Sequence, residues 1–319
     1  MSVRVKMIDF GWTGEKVSEI GLGTWEFSYS WGVTDYNIAK SIIEAAYQAG
    51  INFVDTAIVY GDGLSEEFIG RAIKELEIRD ELFIATKIPG QYLSRDDVFK
   101  AVELSLKRLN IRCIDLLQVH WPPCWHNIPT CEYADALEQL VMLGKVRYIG
   151  LSNYPVELID SFRSCLSKID IASIQIRYNL IERDAEKELI PYALADDIIV
   201  IAYSPLAKGA LTGKYTPENI PEFKDVRAED PIFHPENFKK IYRLVEELKR
   251  IAEKYNKTPA QTALNWLITS YPNIMPIPGA KSKEQVLENA GASGWRLEYE
   301  DWRRLSEVSN EIKISRVIY

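Results

Sequence analysis

Four titratable side chains of complementary chemistry stand at or just beyond the ends of successive apolar runs. Asp55 and Tyr60 lie five positions apart in "GINFVDTAIVYG", residues 50–61; Lys87 ends "LFIATK" and His120 ends "DLLQVH". A free phenol has a pKa of about 10 and is a poor proton donor at neutral pH. A nearby ammonium favours the phenolate and lowers that value, and a buried ammonium needs a carboxylate partner, which Asp55 offers. Brought together, the group predicts a tyrosine tuned toward the working pH, able to give or take a proton. His120 is then free to hydrogen-bond a substrate oxygen. Each residue alone has a plainer reading, an Asp–Lys ion pair or a tyrosine packed at a rim. Four such residues on three successive units favour chemistry.

These residues need elements to position them. Eight short apolar runs occur in order: "SEIGLGT", "NFVDTA", "LFIATK", "DLLQVH", "VRYIGLSN", "ASIQIR", "IIVIAYS" and "IMPIPGA". Amphipathic segments separate them. In "DDVFKAVELSLKRL" the residues Val98, Ala101, Val102, Leu104, Leu106 and Leu109 are predicted to face inward. Strand alternating with helix eight times predicts an α/β fold, a (β/α)8 TIM barrel, as a single domain over residues 1–319. Asp55, Lys87, His120 and Ser152 follow one another at steps of 32, 33 and 32 residues, about one strand–helix unit each. The competing fold, a doubly wound open sheet, needs a Gly-rich turn that "GLGTWEF" lacks. In barrels of this kind catalytic groups gather at the C-terminal ends of strands, where the four residues fall. "VRVKMIDFGWTGEKVSEI" reads as a β-hairpin capping the far end. Residues 214–235, with four prolines, form a long loop after the seventh strand.

Of the 319 residues, 47% are apolar and 26% charged, and the net charge is −8 with no block of one sign. That predicts neither a nucleic-acid partner nor an anionic membrane surface. No apolar run is long enough to cross a bilayer, and the N-terminal residues do not read as a signal peptide, so a cytoplasmic protein is expected. Cys113, Cys124, Cys131 and Cys165 give no disulfide framework by spacing, and reduced thiols are the expectation. Cys124, His126 and Cys131 match no standard zinc spacing and have no evident fourth ligand, so no metal is expected.

"IGLGTWEF", "GINFVDTAIVYG", "ATK", "LLQVHWP", "GLSN", "AYSPLAKGALTGKY" and "IPGAKSKEQVLEN" together resemble the aldo-keto reductase superfamily, in order and along essentially the whole chain. The likeness is greatest to the group that holds bacterial and archaeal oxidoreductases and potassium-channel β subunits. The resemblance implies a catalytic tetrad of Asp55, Tyr60, Lys87 and His120. It also implies a nicotinamide cofactor held without a Rossmann domain, and reduction of an aldehyde or ketone with Tyr60 as the proton donor.

The implied cofactor residues carry over one at a time. Gly23, Thr24 and Trp25 match the loop after the first strand, and Asp55 serves the same end of the site. Ser152, Asn153 and Gln175 match the carboxamide-holding groups, and Tyr203 the aromatic that stacks on the ring. Ser204, Leu206, Gly209 and Lys214 match the segment around the pyrophosphate. Gly279, Ala280, Lys281, Gln285, Glu288 and Asn289 match the adenosine end. The last placement also suits general physics, since phosphate sites form after strands seven and eight and a helix start favours anions. Two departures stand out: Gly279 replaces a lysine common in the family, and Gln285 stands where an arginine often binds the 2′-phosphate. Lys281, with Arg227 from the long loop, then becomes the candidate for that phosphate. The resemblance implies NADP(H) ahead of NAD(H).

Trp25, Trp31, Tyr60, His120, Trp121 and Trp125 form the expected substrate wall, and an aromatic lining suits apolar aldehydes and ketones. A small-molecule substrate and a monomer, ahead of a homo-oligomer, are expected. The alternative is a cofactor-sensing regulatory subunit resembling the potassium-channel β subunits. Those carry Asn at the position of His120, so this histidine favours turnover.

Overall fold

Runs of Val, Ile and Leu buried on both faces form parallel strands, because both faces of a barrel sheet are covered. The structure is a computed structural model, which describes residues 4–123 and 126–314. A hairpin of β1 (Met7–Asp9) and β2 (Lys16–Ser18) pairs antiparallel. Eight strands follow: β3 (Leu22–Gly23), β4 (Phe53–Asp55), β5 (Phe83–Ile88), β6 (Ile114–Val119), β7 (Val146–Ser152), β8 (Ile171–Arg177), β9 (Ile199–Tyr203) and β10 (Ile274–Pro276). Each pairs in parallel with the next in sequence. The ring closes between its two ends, where Gly21 N–H donates to the Pro276 carbonyl at 3.0 Å and Gly23 N–H to that of Pro278 at 3.1 Å. Gly23 is needed at this seam, since a Cβ there would lie 2.7 Å from the Ile277 carbonyl oxygen.

Ten helices alternate with the strands among the described residues: α1 (Tyr36–Gln48), α2 (Leu64–Leu76), α3 (Arg95–Leu109), α4 (Thr130–Met142), α5 (Val156–Arg163), α6 (Leu189–Ala195), α7 (Pro235–Lys254), α8 (Pro259–Ser270), α9 (Lys283–Ala290) and α10 (Tyr299–Glu311). Local caps start several of them. Asp35 accepts from the N–H groups of Asn37 and Ile38, and Thr258 and Gln261 form a reciprocal capping box ahead of α8. On α3 the buried face is Val98, Ala101, Val102, Ser105, Leu106 and Leu109. Leu104, expected inward, is instead 40% exposed. It falls off the 3.6-residue stripe that the other five define.

Alternate strand residues point into the barrel. Phe53, Phe83, Ala85, Leu116, Ile199, Ile201 and Met275 form an inner apolar cluster, into which the hairpin inserts Phe10 and Val17. The Phe10 ring lies 4.9 Å from that of Phe83, so the hairpin closes the N-terminal end. At the opposite end the same inward parity brings polar groups: Asp55 on β4, Lys87 on β5, Gln118 on β6, Ser152 on β7 and Gln175 on β8. Lys87 registers with Gln118, and Ser152 with Gln175.

The cysteine expectation needs correction. Cys131 in the first turn of α4 and Cys165 just beyond α5 form a disulfide. A separation of 34 residues is one strand–helix unit, which puts the two sulfurs on adjacent outer elements. Cys124 and Trp125 lie outside the described residues. Among the described residues no group of three or more His, Cys, Asp or Glu is placed to hold a metal ion. None of their helices is long and apolar enough to cross a membrane.

Candidate active site

Lys87 spends all three of its N–H donors at the end of β5. Nζ donates to Asp55 Oδ1 at 2.5 Å, to the Thr56 carbonyl at 2.7 Å and to the Tyr60 hydroxyl at 3.2 Å. An ammonium can only donate. The Tyr60 oxygen is therefore the acceptor, and its own hydrogen is left for another partner. Asp55 is fixed from the other side: Oδ2 accepts from Gln175 Nε2 at 2.8 Å and Gln118 Nε2 at 3.2 Å. His120 completes the group, its ring 5.8 Å from the Tyr60 ring and turned edge-on.

The electrostatics correct one expectation. Burial pushes the Tyr60 phenol well above its ordinary value, and the charges of Asp55 and Glu26 push it the same way. Lys87 does not counter this, because its charge is neutralised by Asp55 at contact distance. Burial lowers the Lys87 ammonium, with Asp55 opposing. The resting tyrosine is thus a fully protonated donor rather than one poised near neutrality. Burial, then Lys87, lowers the His120 imidazole to about 3, so it is neutral.

The tetrad opens on a cavity of about 680 Å³, within the range of small-molecule sites. Asp55, Tyr60 and His120 line it, while Lys87 lies behind them, fully buried. The expected cofactor positions line the same cavity: Gly23, Thr24 and Trp25 after β3; Ser152, Asn153 and Gln175; Tyr203, Ser204, Leu206, Gly209, Lys214 and Arg227; and Gly279, Ala280, Lys281, Gln285, Glu288 and Asn289. Trp31 and Trp121 line it too; Trp125 lies outside the described residues.

Hydrogen bonds hold the wall in shape. Tyr203 donates to Asn153 Oδ1 at 2.8 Å, and Asn153 Nδ2 donates to the His120 carbonyl at 3.0 Å. Asn153 adopts a left-handed backbone with φ 62°, which asparagine tolerates better than most residues. Gln285 Oε1 accepts from Lys281 N–H at 2.7 Å, and Ser282 caps α9. Gln285 therefore shapes the loop that carries Lys281.

At this end of the cavity the Lys281 ammonium lies 4.9 Å from the Trp31 ring centre and the Arg227 guanidinium 5.2 Å. Arg227 is held by Asp225 at 2.5 Å and by the Tyr215 hydroxyl at 3.0 Å. The long loop is pinned by Lys208 to Asp230 at 2.6 Å and by packing of Tyr215, Phe223 and Phe233. Burial and the neighbouring charge of Arg227 lower the Lys281 ammonium, with Asp225 and Glu26 opposing. A polar, part-aromatic cleft with Lys214, Arg227 and Lys281 at one end and a neutral proton-donor group at the other fits a phosphate-bearing nicotinamide dinucleotide.

Sequence reasoning missed several lining or supporting residues. Gln118 shares inward parity with His120, two positions on, and that spacing could have revealed it. Glu26, Arg177 and Lys208 also line the cavity; Arg177 lies 5.6 Å from the Tyr203 ring centre. Glu26 is a lone acid in the apolar stretch "GLGTWEF", which was its only signal.

Comparison with known proteins follows the same lines. The chain matches the Aldo/keto reductase family over residues 19–310. It is 37% identical over 306 residues to aldo-keto reductase YhdN of Bacillus subtilis, covering 93% of this chain and 91% of that one. It is 31% identical over 333 residues to the NADH-specific methylglyoxal reductase of Escherichia coli, covering 97% of this chain and 100% of the relative. The crystal structure of an aldo-keto reductase from Klebsiella pneumoniae in complex with NADPH superposes with a TM-score of 0.79 at 28% identity, over 99% of each chain. On the match across its length and the barrel that carries it, this chain belongs to the aldo/keto reductase family.

Proposed function

We propose that this protein is an NADP(H)-dependent reductase of small aldehydes and ketones, acting as one barrel domain with Tyr60 as general acid. The observation that carries this reading is the Lys87 contact to Tyr60, because a donor-only ammonium on the phenol oxygen turns the phenolic proton outward. When bound, the nicotinamide supplies the hydride. Tyr203, Asn153, Ser152 and Gln175 would hold its carboxamide end, and Lys281, Arg227 and Lys214 its phosphates.

The chain's own residues do the rest. A carbonyl oxygen placed between Tyr60 and His120 accepts from the phenol and from the neutral imidazole. As Tyr60 releases its proton to that oxygen, its own oxygen gains negative charge, and the hydrogen bond from the Lys87 ammonium, then ionic on both sides, strengthens. Stabilisation thus arrives at proton transfer rather than before it. Asp55, Gln118 and Gln175 keep the ammonium aimed. Trp25, whose ring centre lies 6.5 Å from that of Tyr60, and the half-exposed Trp121 favour apolar substituents on the substrate. The three cations favour NADP(H) over NAD(H), in keeping with the NADPH complex of the Klebsiella relative, although the E. coli relative is NADH-specific.

Steady-state reduction of a panel of aromatic and aliphatic aldehydes with NADPH and NADH tests the reading. NADPH oxidation that depends on the carbonyl substrate is expected; binding of cofactor without turnover of any carbonyl would instead favour a cofactor-sensing role.

A further inference from the structure

Glu26 follows Trp25 in the loop after β3, and its carboxyl rests on Gly279. A Cβ built on Gly279 would lie 2.0 Å from the Glu26 Cδ and from both carboxyl oxygens. A side chain at position 279 would have to displace this carboxyl. The loop that carries Glu26 runs the length of the cleft as a ladder of rings. Tyr60 lies 6.5 Å from Trp25, Trp25 lies 5.5 Å from Trp31, and Lys281 lies 4.9 Å from the Trp31 ring. Glu26 follows Trp25 directly and feels both ends: its charge acts on Tyr60, and Lys281 acts on it. Glu26 lines the same cleft as the tetrad and the three cations.

We propose that Glu26 sets cofactor affinity through proton uptake: as the dinucleotide's phosphates enter the cleft that Glu26 lines, its carboxyl takes a proton from solvent and loses its charge. This rests on the reading of the cleft as a dinucleotide site. A carboxylate beside a pyrophosphate is a like-charge contact, and neutralisation relieves it. The free protein is already close to that change, since burial raises Glu26 to about 7, against the lowering effects of its backbone hydrogen bond and Lys281. The titratable groups that face it are the Lys281 ammonium, from the loop before α9, and the neutral Tyr60 phenol, from the loop after β4. Across Trp31 stands Arg227 with its partner Asp225, and Lys214 acts through Lys281. Lys281, the one cation that acts on Glu26 directly, does not offset a pyrophosphate.

The test is the dissociation constant of NADH, followed by quenching of tryptophan fluorescence from about pH 6 to about pH 9, a window that spans the Glu26 transition. NADH is the reference because the 2′-phosphate of NADPH titrates near pH 6 on its own account. For the unmodified protein, affinity falls about tenfold from pH 6 to pH 8. Glu26→Gln, which keeps the shape and removes the charge, gives a flat profile and tighter binding at the alkaline end; Glu26→Ala gives a flat profile as well. Parallel profiles in the unmodified and Gln proteins would overturn the role of Glu26 while leaving the cofactor reading intact. An unmodified protein that binds more tightly as pH rises would do the same, since Glu26 would then act in its charged form. No saturable binding of either dinucleotide by any of the proteins would overturn the cofactor reading and this proposal with it.

Discussion

The Lys87 ammonium lies 2.5 Å from the Asp55 carboxylate, with side-chain exposures of 0% and 2%. Two opposite charges in a dry barrel end are tolerable only as a pair, and each holds the other in one orientation. Removing one partner leaves an uncompensated buried charge, at a cost of about 3–5 kcal/mol. Lys87→Met is therefore expected to lower the unfolding midpoint in denaturant clearly, and the double variant Lys87→Met/Asp55→Asn to recover part of the loss. Chemical denaturation of the unmodified protein, both single variants and the double variant measures this. A double variant as unstable as the sum of the singles would mean that the pair does not act as a unit.

Lys281 and Arg227 flank Trp31 at the end of the cleft proposed for the cofactor's phosphates. Losing one charge-assisted contact to a 2′-phosphate costs about 1.5–3 kcal/mol, or roughly 10- to 100-fold in affinity. Lys281→Ala should weaken NADPH by that amount and NADH much less, as read by titration of each dinucleotide. Equal losses for both would show that Lys281 does not read the extra phosphate.

His120 is neutral because burial and Lys87 hold its imidazole down at about 3. The unfolded chain would protonate it near the usual histidine value of about 6.5. Between these values the unfolded state binds the extra proton, so His120 contributes stability that is present above about pH 6.5 and lost as pH falls toward 3. Replacement by Asn should flatten that part of the acid limb in a stability-versus-pH series. For the same reason the pH–rate profile should carry no limb from His120 between about pH 5 and 8.

The Cys131–Cys165 bridge closes a segment with a sequence separation of 34 and joins α4 to the end of α5, away from the cleft. In the chain-entropy picture a loop of this size contributes about 3–4 kcal/mol. Cys165→Ser should lower the melting temperature by several degrees and leave carbonyl reduction unchanged. Calorimetry with and without reductant checks it: reductant should lower the unmodified protein to the variant's melting temperature and not move the variant.

Much of this molecule was legible in its sequence. The apolar runs leading to Asp55, Lys87 and His120 located the strand ends, because a fully buried strand has to be apolar and its rim does not. Helix faces were readable except at Leu104, where counting leucines overrode the 3.6-residue stripe. The disulfide escaped notice because spacing alone says nothing about which outer helices become neighbours. The direction of the Tyr60 shift was also misread. Sequence shows a lysine near a phenol, but not that Asp55 cancels its charge at contact distance while burial acts unopposed. Glu26 could not be placed, since only the closing of the barrel brings the loop after β3 onto Gly279.

The role of Tyr60 is tested most directly by Tyr60→Phe, which keeps the ring beside His120 and Trp25 and removes only the hydroxyl that carries the proton. Cofactor affinity and the reduced-nicotinamide absorbance are followed side by side after mixing with NADPH and an aromatic aldehyde. Unchanged NADPH binding with turnover reduced by about 10²- to 10⁴-fold is expected for loss of a general acid. Turnover close to that of the unmodified protein would contradict the assignment of Tyr60 as the proton donor.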